Sequence, residues 1–182
     1  VGCAIEGASG ETYVDYVRKN VLTPAGMTHT VVDDRFAIVP FRTRFYTKDE
    51  SGAITNADFL DSSYKIPGGG WVSSADDMAQ FEVAMLNDRI VARSTRDLMW
   101  TPLKPTDGKE DRYALGWGTG KDLGVLDVGH GGGQQGTSTF FMIVPERRAG
   151  VVVLINLDGA GASDLATELM KIVLAPAPSP KK

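Results

Sequence analysis

The strongest chemical signature in the chain is an imidazole set among glycines, Gly129-His130-Gly131-Gly132-Gly133-Gln134-Gln135-Gly136. A backbone without side chains can approach a ligand closely, and a neighbouring histidine can give or take a proton. The run lies between two stretches that read as strands, 125–128 and 137–144. Two readings follow. In one, the glycines serve a tight strand-end turn and His130 is merely half-exposed. In the other, the run is an oxyanion-binding edge strand, with His130 facing the site and the N–H of Gly133 aimed at a developing negative oxygen.

An oxyanion site needs a nucleophile, and the chain offers no convincing one. His-Gly-Gly-Gly also opens the oxyanion loop of lipase-like α/β-hydrolases, but no Gly-x-Ser-x-Gly elbow follows it. Ser-x-x-Lys occurs at Ser62…Lys65 and Ser179…Lys182. A serine activated by that lysine belongs at a helix N-terminus, one turn before it. Ile66-Pro67-Gly68 is expected to stop a helix after Lys65, and Ser179 sits beside Pro180 in a tail. Neither serine is expected to react. His29 reads as a turn residue, Trp71 and Trp117 as core or cleft aromatics, and Cys3 as buried and inert. Asp76 and Asp77 suit the first turn of a helix, where carboxylates favour the dipole.

The elements that must position these residues are mixed. Ser9 is expected to cap a helix over 11–21, and Pro24 with Gly26 to punctuate the following turn. Residues 31–66 read as a loose excursion with short strands near 41–46. Ser74 and Asp77 resemble a capping box opening a helix to about Leu86, which would bury Met78, Phe81, Val83, Met85 and Leu86. A shorter helix is expected from Ser94 to Trp100, then a polar loop over 102–111. Strands are expected at 113–117, 125–130, 137–144 and 150–155, the last two joined as a hairpin through 145–150. A final helix should begin at Ser163 or Asp164 and reach Leu174. The predicted class is α+β, an antiparallel sheet flanked by helices, over 1–174, with a disordered proline-rich tail over 175–182.

Bulk properties narrow the function. The chain has 182 residues, 42% hydrophobic and 23% charged, with formal net charge −4 and no basic stripe, which argues against a nucleic-acid partner. One cysteine and two histidines exclude an intrachain disulfide and make a metal site an unpromising expectation. No cofactor is expected. No apolar run reaches membrane-spanning length. The start at Val1, without methionine, is expected to be the interior of a longer protein.

Taken together, several segments resemble the serine β-lactamase-like, penicillin-binding-protein-like hydrolases, close to class C β-lactamases and their esterase and D-amino-peptidase relatives. The segments are 4–13, Val21-Leu22-Thr23-Pro24-Ala25-Gly26-Met27-Thr28-His29-Thr30, Pro67-Gly68-Gly69-Gly70-Trp71 with the helix that follows to Phe81, Tyr113-Ala114-Leu115-Gly116-Trp117-Gly118, Gly129-His130-Gly131-Gly132, and the hairpin of Pro145-Glu146 and 151–156. Their order matches the family's across 1–174. The resemblance implies a serine acyl-transfer mechanism on a lactam, D-amino peptide or ester. His130 would then orient substrate and protons, Gly131 and Gly132 would border the substrate, and the Gly133 N–H would be one of two oxyanion donors. The family's Ser-x-x-Lys helix and Tyr-x-Asn motif would precede Val1, so the chain resembles a C-terminal half, inactive alone. The expected partners are a small acyl substrate and either the missing half or a swapped copy of the chain. Relatives of this kind are often periplasmic or secreted. The competing expectation is a non-catalytic binding or assembly module.

Overall fold

The computed structural model describes residues 1–59, 61–104 and 112–176. The expected tail beyond Pro176 and residues 105–111 of the expected polar loop lie outside the described residues.

Helix α1 (Gly2–Ser9) ends on Gly10, whose φ of 72° supplies the left-handed cap. Thr12, not Ser9, caps the next helix: its hydroxyl accepts the Asp15 N–H and opens α2 (Tyr13–Val17). The Ser9 hydroxyl serves the connection instead, accepting the Glu11 N–H at 3.2 Å. A π-helical turn (Arg18–Leu22) carries the chain into α3 (Thr23–Ala25), stopped by Gly26 at φ 81°. Cys3 is exposed, contrary to expectation. In α1 only Gly2 is buried, because that helix packs through its first turn against Pro67.

Two small antiparallel pairs follow, β1 (Val31–Val32) with β4 (Trp71–Val72) and β2 (Tyr46–Lys48) with β3 (Ile54–Asn56). The strand expected over 41–46 starts only at Tyr46, since Phe41 turns at φ 60°. A 3-10 turn (Ser63–Lys65) leads into α4 (Ile66–Gly69). One helical turn therefore does continue past Lys65. Pro67 occupies its start, where the missing N–H has no helical partner to lose.

Ser74 begins α5 (Ala75–Leu86) as expected, its hydroxyl accepting the Asp77 N–H at 3.2 Å. The buried face differs from the hydrophobic list, with Val83 44% exposed while the carboxyls Asp77 and Glu82 are buried. Asp77 also accepts the His29 N–H at 2.8 Å and the Thr30 hydroxyl at 2.6 Å, tying the turn after Gly26 to the helix. Burial works against its charge, but these donors outweigh it and hold the carboxyl below its ordinary range. Helix α6 (Arg93–Met99) follows, and Trp100 at its end is buried.

The main sheet runs in the order β5 (Gly118–Gly120), β6 (Asp127–Gln134), β7 (Thr137–Val144), β8 (Ala149–Ile155), every neighbour antiparallel. Alternation along the strands sends Val128, Phe141 and Ile143 to one face, against Met85, Leu86 and Trp117. Met142, Val144, Val151 and Val153 go to the other face, against α7 (Ala162–Leu174). Helices thus flank an antiparallel sheet, the predicted α+β class. The strand expected at 113–117 is not one: Gly116 turns at φ 78°, and only a single bridge joins Tyr113 to Gly118. Burial of Trp117 explains its apolar look, since its ring stacks on Phe81 and meets Trp100 edge-on.

Candidate active site

The glycine run is strand, not turn. His130, Gly131, Gly132 and Gly133 pair with Phe141, Phe140, Thr139 and Ser138, and the reversal comes later, at Gln135-Gly136. On the opposite side β5 reaches only as far as the Gly118–Gly129 pair. Among the described residues, 131–134 therefore have a strand neighbour on one side and none on the other. The strand is internal to the sheet at one end and an edge at the other.

Its tip is clamped. Gly136 is buried at φ 78°, and a Cβ there would lie 2.5 Å from the Phe45 Cβ and 2.9 Å from the Ala57 Cβ. Both backbone conformation and space demand glycine there, so the 45–57 hairpin packs directly on the turn. The Gln134 side-chain amide donates to the Gly69 carbonyl of α4. A tip held on two sides gives the free stretch a defined position.

His130 is exposed and stands with a partner the sequence reading left aside. Its Nε2 lies 2.9 Å from the Tyr113 hydroxyl, and the two rings meet edge to face at 5.8 Å. Its Nδ1 lies 2.6 Å from the Gly131 carbonyl oxygen. A carbonyl only accepts, so Nδ1 carries the proton; in the neutral ring Nε2 must then accept from the Tyr113 O–H. Both nitrogens are engaged within the protein.

The four predicted site residues divide between two concavities. His130 and Gly131 line one of about 480 Å³ with Tyr113, Arg112 and Asp127. Gly132 and Gly133 line a larger cleft of about 820 Å³, walled by Phe45, Phe59, Trp71 and Arg44. The strand itself is the divider. The glycines also differ in cause. A Cβ on Gly131 would lie 3.3 Å from the Phe140 ring, and one on Gly132 would fall 2.5 Å from the Thr139 hydroxyl. One on Gly133 would meet nothing within 4 Å. Thr139 donates its hydroxyl to the Gly132 carbonyl at 3.2 Å.

Ser62 lines the larger cleft and is 3% exposed, while the Lys65 ammonium lies over the Tyr64 ring at 5.8 Å. No hydrogen bond joins the Ser62 and Lys65 side chains among the described residues, so this pair is not assembled as nucleophile and base. Ser179 lies outside the described residues. His29 holds its place through its backbone, with an exposed ring. Among the described residues no three His, Cys, Asp or Glu side chains are grouped to hold a metal ion, and no helix is long and apolar enough to cross a membrane.

The Beta-lactamase family model matches residues 1–175. The chain belongs to the beta-lactamase family. It is 29% identical over 168 residues to the mouse serine beta-lactamase-like protein LACTB, mitochondrial, covering 78% of this chain and 30% of that protein. To penicillin-binding protein 4* of Bacillus subtilis it is 27% identical over 169 residues, 84% of this chain and 36% of that one. The chain thus spans about a third of the length of these relatives. Among solved structures, the octameric penicillin-binding protein homologue from Pyrococcus abyssi superposes with a TM-score of 0.80 at 25% identity, over 95% of this chain and 40% of that one. A D-stereospecific amidohydrolase from Streptomyces sp. gives 0.79 at 25% identity, over 96% and 52%. The fold and family predicted from the motifs therefore stand.

Tyr113 and Thr139 are the residues that sequence reasoning missed. Tyr113 begins the quoted Tyr-Ala-Leu-Gly-Trp-Gly segment, yet only folding brings it to His130. Thr139 could have been found by counting back across a two-residue turn at Gln135-Gly136, which sets Gly132 opposite it.

Proposed function

We propose that this chain carries the oxyanion-binding half of a serine hydrolase site, transferring an acyl group from an ester, lactam or D-amino peptide to water. The observation that carries the reading is the free side of β6 at the cleft. The Thr139 hydroxyl, on β7, bonds the Gly132 carbonyl, so that carbonyl turns toward β7. C=O and N–H of one trans peptide point in opposite directions, which sends the Gly133 N–H to the side β5 leaves open. The Gly131 carbonyl on that side is taken up by His130. The Gly133 N–H there is a donor aimed where negative oxygen would develop, with its own carbonyl facing the same side as an acceptor for a substrate N–H. Gly131 and Gly132 border the bound acyl group, and His130 with Tyr113 forms one unit at the rim.

A nucleophile from outside these residues completes the site, with its own N–H as the second donor. It comes from a longer chain, as the length of the relatives supports, or from a swapped copy. Two open surfaces favour such a partner. β8 is a sheet edge, and α7 turns Leu165, Leu169, Ile172 and Val173 outward. The same surfaces favour the second reading, an assembly module without catalysis; the octameric state of the Pyrococcus abyssi homologue is a precedent for assembly.

The test is covalent labelling of the whole gene product with a fluorescent β-lactam and with p-nitrophenyl esters, followed by intact-mass measurement. A stoichiometric acyl adduct is expected, and residues 1–182 alone should give none. A gene product that is never acylated by either probe would leave the assembly module standing.

A further inference from the structure

We infer that Thr139 is the positioning residue of the oxyanion donor, and that Gly132 is glycine to make room for it. This rests on the proposed role of the Gly133 N–H. The Gly132 carbonyl has two lone pairs, and the antiparallel ladder from β7 can occupy one. The Thr139 hydroxyl donates to the same oxygen at 3.2 Å. A hydrogen bond on a peptide oxygen draws electron density from its nitrogen and makes the attached N–H a better donor. That N–H is Gly133's. Thr139 thus acts through the peptide bond on the group that would meet the substrate, without touching the substrate itself.

The steric facts agree. A Cβ on Gly132 would lie 2.5 Å from the Thr139 hydroxyl oxygen, so any side chain at 132 displaces it. Gly133, which carries the donor, has nothing among the described residues within 4 Å of where its own Cβ would lie. The need for glycine imposed by Thr139 thus falls on the residue that supplies the carbonyl, not on the one that supplies the N–H. Thr139 lines the cleft together with Gly132 and Gly133, which places the hydroxyl at the site wall.

The experiment uses Thr139→Val, which keeps the branched shape and removes the donor, and Thr139→Ser, which keeps the donor. On residues 1–182, the amide 15N resonance of Gly133 should move in T139V and stay near wild type in T139S, with other β6 amides little changed. In the whole gene product, T139V should lower kcat for ester cleavage roughly three- to tenfold, the size of one ordinary hydrogen bond, with KM unchanged, and T139S should recover most of it. In kcat, Gly132→Ala should lose at least as much as T139V, and adding T139V to it should cost nothing further. An unmoved Gly133 resonance in T139V overturns the inference, as does an equal kcat loss in T139V and T139S. The resonance needs no turnover, so a protein that proves inactive sinks the hydrolase reading and leaves this one judged on the spectra.

Discussion

The two halves of β6 use the same residue type for opposite ends. In the half covered by β5, Gly129 lies so close to β7 that a Cβ would collide with the Phe141 carbonyl, and Val128 beside it is fully buried. In the open half, Gly133 is exposed and nothing within 4 Å of its would-be Cβ explains the absence of one. Glycine at 129 answers to packing. Glycine at 133 answers to no packing neighbour among the described residues, which suits the proposed close approach of a ligand. A glycine cluster is therefore not one feature but several, and only the neighbours of each position separate them.

The largest effect expected from pressing this contrast is Gly133→Pro, which removes the proposed donor on a side with no ladder partner. Turnover by the whole gene product should fall on the order of 100- to 1000-fold, while melting of the isolated chain changes little. Loss of fold instead would place that N–H in the ladder. Gly129→Ala should do the reverse on stability, costing about 2–3 kcal/mol by denaturant unfolding because main chain must move. A cost below half a kcal/mol would show that the covered half is slack.

The packed side of the sheet also holds a carboxyl that the open side would have solvated. Glu82 of α5 faces Gly150 of β8, its Oε1 has no hydrogen-bond partner among the described residues, and it is 4% exposed. Burial, offset only partly by the Met142 amide, pushes its pKa up from 4.5 to about 8. The folded state then binds this proton more tightly than the unfolded chain. Its stabilising contribution is complete below about pH 4.5 and is lost as pH rises through about 8. Melting temperature should drop between pH 6 and pH 9, and Glu82→Gln should flatten that drop; a parallel curve for the variant would mean Glu82 is not the group. The smallest effect belongs to Gly133→Ala. A methyl group there meets open space and keeps the N–H, so stability should stay within about 0.5 kcal/mol of wild type by denaturant unfolding.

Legibility tracked how local the determining forces were. The strand at 137–144 and the helix opened by Ser74 were readable because alternation and a side-chain cap act within a few residues. The segment 113–117 misled because Trp117 is apolar for the sake of a ring cluster with Phe81, Trp100 and Phe141, not for strand alternation. Val83 lies outside the core it was expected to join, while its neighbour Glu82 turns into the space beside Gly150, where no side chain stands in the way. At the site, His130 and the glycines were visible as types, but the division of labour among them was not.

What the sequence determined alone was the family, the α+β class and the presence of an imidazole among glycines, since these depend on residue type, order and short-range periodicity. Tertiary structure alone decided that β5 stops at Gly129, that Tyr113 and the Gly131 carbonyl occupy both nitrogens of His130, and that Thr139 holds the Gly132 carbonyl. Each of those is a contact across strands or loops. Its geometry depends on register and on where a neighbouring strand ends, quantities that no local stretch of chain encodes.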